Sequence, residues 1–398
     1  MTSDGRVVER LDVVDALRGF ALLGLFLVHC VELFELYWAH PTPGPVFDWV
    51  FGLFSGKSYA LFALCFGLSF FLIMDSAARR GEDFRGRFVW RLTLLLGFGI
   101  LHSFLYRGDI LQILAILGVV MLALDRIKNN KLLLAVAGLC FLQIPLLVRA
   151  LAAATGAPWA IAPAVFMSDT TMPVLTDGSF SEVIGVNLVH GQAMKWSFYL
   201  ETGRVVQMLG LFVLGLVLGR IGFFSDLERH QRLRRTSLVV AATLTVLLYW
   251  TGPQLLNAIA ADSPRSRPHL QWALDSWKAL GVLGVQVLIF VELYRTGARA
   301  VFGTLVPAGR MTLTLYLAQS IIFVPVFYGF GLDLHDDLTL LQCLLIGMVA
   351  FALQMGFATW WLRRFRFGPV EWLWRAATRT TLDVPFRHSR SSAISTTR

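Results

Sequence analysis

Charge is what this chain has least of. Only 15% of its 398 residues are Asp, Glu, Lys or Arg, against about 25% in soluble domains. That leaves too little polar surface to cover a water-soluble particle of this size. The four cysteines, Cys30, Cys65, Cys140 and Cys343, all lie inside apolar runs, so neither a disulfide framework nor a Cys-x-x-Cys zinc site is written into the chain, and no metal is expected. A Gly-rich phosphate loop is missing, no small-residue cleavage site follows the first apolar run, and no internal repeat of the kind that builds inverted-half transporters is visible. The balance is basic, 35 Lys and Arg to 26 Asp and Glu. Yet no segment interleaves cations with aromatics as a base-stacking platform would, so nucleic acid is not an expected partner.

What is present is apolar. Hydrophobic residues make up 56% of the chain, mean hydropathy is +0.64, and the runs approach 20 residues, the length that crosses a hydrocarbon layer of about 30 Å. The pattern predicts an all-α, polytopic integral membrane protein with about ten transmembrane helices in the lipid bilayer. They are placed at 16–36, 50–74, 88–106, 110–124, 132–153, 205–223, 238–259, 277–293, 304–330 and 338–361. One transmembrane domain covers 1–382, and the Ser/Thr/Arg-rich tail 383–398 is expected to be disordered. Basic residues fill alternate loops, among them Arg79, Arg80, Arg85 and Arg87, which puts these loops and both termini in the cytoplasm. The opposite loops hold Asp48, Asp109, Asp169, Asp177 and Glu182 and face outward. The stretch 155–202 is then external, and its mixture of prolines and aromatics suits a surface-lying or cavity-capping segment. Gly215-x-x-x-Gly219 permits close helix approach, within the chain or in a homodimer.

Ionisable side chains inside spans are costly and mark interiors or watery cavities. Arg18, His29 and His40 are spaced eleven and eleven apart, and eleven residues make three helical turns plus about 20°. They share one stripe provided the first helix persists to His40, before Pro41. Asp15 stands one turn before Arg18 and Glu32 one turn after His29, where a carboxylate would fix the imidazole's tautomer. At the end of the third span, His102 is followed by Tyr106, Arg107, Gly108 and Asp109 before the next span begins. A tight antiparallel hairpin there brings His102 and Asp109 to one level; a polar hairpin tip would look the same. Gln319 and Ser320 sit mid-span in the ninth helix, where either could simply bond between helices.

LDVVDALRGFALLGLFLVHC resembles the opening helix of the transmembrane acyltransferase superfamily, with Arg18 and His29 matching the Arg-His pattern of the acyltransferase-three branch, which O-acylates glycans. SYALFALCFGLSFFL (58–72), RLTLLLGFGILHSFLYRGDIL (91–111), VVQMLGLFVLGLVLGRIGFF (205–224), GRMTLTLYLAQS (309–320) and FGPVEWLWR (367–375) resemble the YeiB-like proteins, the domain of unknown function 418. These are related to the lysosomal heparan-alpha-glucosaminide N-acetyltransferase, whose catalytic histidine falls on His40 and whose asparagine falls on His29. Histidine at both places leaves open which imidazole does the chemistry. The resemblance implies an acyltransferase that moves an acyl group, acetyl in the first instance, from cytoplasmic acetyl-CoA or another acyl-CoA to a hydroxyl or amine on a glycan or small-molecule acceptor outside. His40, nearest that acceptor, is assigned as base or transient acyl carrier. His29 with Glu32 orients or relays, and His102 and Asp109 complete the catalytic set. Arg18, Arg85, Arg87, Gln319, Ser320, Glu371 and Arg375 form the donor-binding set, although topology alone also accounts for the arginines after the second span. A proton-coupled transporter or exporter using the same charged stripe is the alternative.

Overall fold

A segment that crosses hydrocarbon has to satisfy its backbone N–H and C=O groups internally, and a helix does so. The computed structural model describes residues 11–168 and 170–388. Among these residues there is no strand, only an isolated bridge between Phe365 and Arg387. Asp169, expected from the charge pattern to be an external acid, and the tail from residue 389 lie outside the described residues.

Six stretches are long and apolar enough to cross a membrane: Asp12–Ala39, Pro45–Arg79, Asn130–Ala154, Gln231–Asp262, Pro264–Thr296 and Leu340–Leu362. Two bent pairs, Phe180–Glu201 with Arg204–Arg220 at 66° and Arg299–Arg310 with Thr312–Phe327 at 78°, raise the count to eight. The other two expected spans are helices of a different kind. Arg85–Ser103 carries Arg85, Arg87 and Arg91 in its first two turns, and Leu111–Leu124 has only 14 residues. The stretch 155–202 is more helical than its prolines suggest, and its second half joins Arg204–Arg220 as the first bent pair. On Gln231–Asp262, Val239, Leu244, Val246 and Trp250 stand exposed, an apolar surface that suits lipid rather than water.

Ten helices frame the candidate site: α1 Asp12–Val31, α2 Ser58–Arg79, α3 Arg85–Ser103, α4 Leu111–Leu124, α5 Gln192–Glu201, α6 Arg204–Arg220, α7 Val306–Arg310, α8 Thr312–Phe327, α9 Leu340–Leu362 and α10 Pro369–Arg379. The first helix lies at the centre of the packing, against α2, α7, α8 and α9, with Ala16, Leu17, Ala21, Leu22, Phe26 and Cys30 fully buried. Its contact with α7 is backbone on backbone: a Cβ on Gly309 would stand 1.7 Å from the Asp15 carbonyl oxygen. This glycine lets α7 sit against α1, so Arg310 and the start of α8 arrive beside Arg18. Gly215 and Gly219 of α6 face Leu64 and Phe71 of α2, so that pair is used inside the chain. The short amphipathic α10 docks on α3 and α8. Packing continues past residue 382, with Val384 buried and Phe386 against Trp361, Phe365 and Trp372.

Candidate active site

The eleven-residue stripe requires α1 to stay helical to His40, and it does not. Regular helix ends at Val31, and Leu33, Phe34 and Glu35 follow with φ of 51°, 49° and 89°. Three consecutive side-chain-bearing residues in the left-handed region cost on the order of 1–3 kcal/mol each, so neighbouring groups must hold the turn. Phe34 is fully buried against His29, Tyr106 and Phe327, and its carbonyl accepts from the Tyr328 hydroxyl at 3.3 Å. Glu35 is turned back into the bundle, where one oxygen accepts from the Tyr106 hydroxyl at 3.0 Å and the other from Arg107 Nε at 2.8 Å. His40 lies beyond the turn as an exposed residue.

Tyr106 decides the protonation of its neighbours. Its hydroxyl stands 3.2 Å from His29 Nδ1 as well as 3.0 Å from Glu35. A phenol has one hydrogen and a carboxylate can only accept. The hydrogen therefore goes to Glu35, and His29 donates to Tyr106 from Nδ1. That fixes the neutral tautomer with the lone pair on Nε2, the arrangement a base needs. Gly108 makes room for this chain of bonds, since a Cβ there would lie 2.3 Å from the Tyr106 hydroxyl and 2.4 Å from Glu35.

On the far side of Tyr106 lies a second imidazole. His102 Nδ1 meets Asp109 at 2.9 Å, with side-chain exposures of 1% and 0%. The other Asp109 oxygen accepts from Gln112 N at 3.1 Å, and Gln112 Nε2 donates to the Gly99 carbonyl at 3.0 Å, so the hairpin between α3 and α4 closes on itself. His102 Nε2 is buried without a partner. Asn187, in a π-turn at Asn187–Gly191, donates to the carbonyls of Phe104 and Leu105 and fixes the hairpin from outside.

Below this cluster, α1, α2, α3, α4, α7, α8 and α10 line a cavity of about 230 Å³. Arg18, Arg91, Arg310 and Arg375 line it where α1, α3 and α8 begin. Arg18 ion-pairs with Asp15 at 3.1 Å and donates to Ser69. Arg91 lies 3.6 Å over the Trp374 ring, which clamps α10 to α3. Glu371 accepts from the backbone N–H of Thr314 at 3.0 Å and from its hydroxyl, and burial pushes its carboxyl above the usual carboxylate range. Further in, the walls are Phe62, Phe66, Leu95 and Leu111, ending at Leu25, Ile110 and Tyr316. The Tyr316 ring packs on His102, with centroids 5.0 Å apart, and its hydroxyl accepts from Ile110 N at 3.3 Å.

Two family models match this chain. Residues 10–176 match "Heparan-alpha-glucosaminide N-acetyltransferase, catalytic", and residues 218–381 match "Protein of unknown function (DUF418)". Among curated proteins, Uncharacterized protein YxaH of Bacillus subtilis is 29% identical over 398 aligned positions, 93% of this chain and 94% of that one. Uncharacterized protein YeiB of Escherichia coli is 26% identical across 93% of this chain and 97% of its own length. An uncharacterized 39.9 kDa protein of Bacillus acidopullulyticus is 25% identical with 93% and 94% coverage. The chain is thus similar over nearly its whole length to YxaH and YeiB.

The cavity joins the two matched regions, with Arg18 and Arg91 from the first and Arg310 and Arg375 from the second. Of the residues singled out from sequence, Arg18, Glu371 and Arg375 line the cavity, and His29, His102 and Asp109 stand around Tyr106 and Tyr316. The others fall elsewhere. His40 has no hydrogen bond or ring contact to the cluster, because the break at Val31 redirects the chain. Glu32 accepts from Trp38 Nε1 at 2.6 Å, and His29 takes Tyr106 as its partner instead. Arg85 and Arg87 are exposed in the first turn of α3 and do not line the cavity. Gln319 donates to Gln354 at 2.9 Å, and Ser320 is buried away from the cavity walls. Glu35, Tyr106, Arg107, Arg310 and Tyr316 were missed as site residues. The signal for the first three was a carboxylate and a YRG turn in otherwise apolar surroundings.

Proposed function

We propose that this membrane protein is an acyltransferase that takes an acyl group, acetyl in the simplest case, from acyl-CoA and passes it to a hydroxyl or amine acceptor on the opposite face. The polarity of the cavity carries this reading: four guanidinium groups at one end and a base-competent histidine just beyond the other. Guanidinium groups suit the phosphates of coenzyme A, which they can grip in bidentate fashion. Along α2 the lining runs from Ile73 to Phe62, eleven residues or roughly 16 Å, a reach that suits an extended pantetheine arm. His29 stands four residues beyond Leu25, the last lining residue of α1, about 6 Å further along the axis.

The acceptor's O–H or N–H gives its proton to His29 Nε2 while its oxygen or nitrogen attacks the thioester carbonyl. The C–S bond then breaks, and the coenzyme A thiolate leaves with that proton. Tyr106 and Glu35 keep His29 in the tautomer this needs. The acceptor is a glycan or a small molecule at the external face.

The arginine end is cytoplasmic in this reading, as are both termini, in a ten-span topology that counts α3 and α4 as spans, in a bacterial inner membrane. Single cysteines at Thr42 and Ser76, in a chain stripped of its own four, label from opposite sides; labelling from one side overturns the orientation. The activity is tested on the purified full chain in detergent with radiolabelled acetyl-CoA. Binding together with thiol release supports an acyltransferase. Neither binding nor release, with proton-driven solute uptake by reconstituted vesicles, makes the protein a transporter.

A further inference from the structure

Tyr316 is the polar side chain that both lines the inner end of the cavity and packs on His102. It stands in the GRMTLTLYLAQS run beside Gln319 and Ser320, yet those two bond to α9 or sit away from the cavity walls. Its ring is buried, with 4% of the residue exposed. Its hydroxyl accepts the Ile110 N–H, and among the described residues no acceptor takes its own hydrogen. A buried phenol that has filled an acceptor site and kept its donor unused is a preset hydrogen-bond donor, and such a donor costs folding free energy unless something arrives to accept from it. The Ile110 N–H and the ring contact with His102 fix where the oxygen sits. Asp109 in turn holds the His102 imidazole on which this ring packs.

We infer that the Tyr316 hydroxyl is a catalytic residue, the donor that stabilises the thioester oxyanion. This rests on the acyltransferase reading. As the acceptor's oxygen or nitrogen bonds to the carbonyl carbon, the C=O π pair moves onto oxygen, and the O–H of Tyr316 points a hydrogen bond at that developing charge. When the C–S bond breaks, the pair returns to the carbonyl. Tyr316 keeps its proton throughout, the acceptor's proton travels by way of His29, and the thiolate sulfur receives it. A donor already fixed in place needs no reorganisation at the moment of reaction, and for that reason single oxyanion donors contribute heavily to rate. The lining gives the same assignment: the arginines stand at one end of the cavity, and at the other the Tyr316 phenol lies among the apolar Leu25 and Ile110.

The test is Tyr316→Phe in the full chain, which keeps the ring on His102 and removes only the hydroxyl. Turnover of acetyl-CoA is expected to fall about 100-fold or more, with the donor's dissociation constant and the melting temperature in detergent close to wild type. A second readout is the infrared carbonyl stretch of bound acetyl-CoA labelled with carbon-13 at the carbonyl. It lies at lower wavenumber in the wild type, where Tyr316 polarises it, and returns toward the solution value in Tyr316→Phe. Wild-type turnover in Tyr316→Phe, with an unchanged carbonyl stretch, overturns the inference and leaves the acyltransferase reading standing. Loss of donor binding in parallel with turnover also overturns it, making Tyr316 a wall residue. A wild-type protein that neither binds nor cleaves acetyl-CoA overturns the acyltransferase reading, and this inference with it.

Discussion

At its amino-terminal end α1 is a regular helix pressed against Gly309, and Arg18 leaves it with ordinary dihedrals to meet Asp15 and Ser69. At its other end the helix gives way to Leu33, Phe34 and Glu35 in the left-handed region, and that strained turn brings Glu35 onto Tyr106 and Arg107. The arginine end takes its chemistry from side chains at helical spacing on four separate helices. The histidine end takes it from a departure from helix. On the proposed reading, a phosphate-binding pocket tolerates several loosely equivalent cations, whereas a base works only in one tautomer and one orientation, and the strained turn lies at the end where that reading needs the precision.

The largest effect expected from this contrast is at His29. His29→Asn removes the Nε2 lone pair and lowers turnover by about 100-fold or more while acetyl-CoA still binds. His40→Ala, at an exposed position outside the cluster, stays close to wild type. Comparing steady-state turnover and equilibrium donor binding for the two variants decides the matter. An active His29→Asn beside a dead but folded His40→Ala would move the chemistry to the exposed histidine and take the strained turn out of the mechanism.

Next in size is Glu35→Gln. The amide oxygen still accepts from Tyr106, so the relay keeps its direction, but the ion pair with Arg107 is lost. Supporting groups of this kind typically change activity by about 10–100-fold, and a loss of about tenfold in kcat with KM unchanged is expected here. A change confined to KM would make Glu35 part of the acceptor's binding surface rather than a support for His29.

How far each end could be read from sequence depends on the same contrast. Arg18, Glu371 and Arg375 were legible because helical periodicity and recognisable motifs persist where the backbone is regular. His102 and Asp109 were legible because a hairpin between two helices leaves little freedom in how its flanks meet, and they do meet, at 2.9 Å. The stripe from Arg18 to His40 failed because VELFELYWAH contains no glycine or asparagine to announce a left-handed turn. That turn is imposed by tertiary contacts of Phe34 and Glu35, which one-dimensional spacing does not encode. The ten expected spans met a related limit. α4 is short and α3 opens with three arginines, so length and apolarity pick out six helices plus two bent pairs.

At the arginine end the effects should be smaller and of another kind. Arg375→Gln removes one cation from the cavity rim without disturbing the histidine cluster. A lost charge-assisted hydrogen bond to phosphate raises KM for acetyl-CoA by about tenfold, with kcat nearly unchanged, because the contact is present in ground and transition states alike. A fall in kcat at constant KM would mean that Arg375 acts on the reacting centre, and the division of labour between the two ends would break.

The smallest effect is expected for Arg85→Gln combined with Arg87→Gln. Both side chains are exposed in the first turn of α3 and neither lines the cavity; the Arg87 guanidinium lies 6.0 Å from the Phe84 ring centroid. In the proposed topology they stand at the cytoplasmic edge of a span, and membrane insertion, which favours Lys and Arg on that side, accounts for them. Arg91, one turn further along the same helix, is the residue whose guanidinium reaches the cavity, where it lies against Trp374. The double variant should therefore keep both the KM for acetyl-CoA and the turnover of the wild type, with any loss appearing as a lower yield of inserted protein. Measured per mole of purified protein, a several-fold rise in KM would show that the donor's phosphates extend beyond the cavity to the outer face of α3, and the binding end would then be a surface track rather than a pocket.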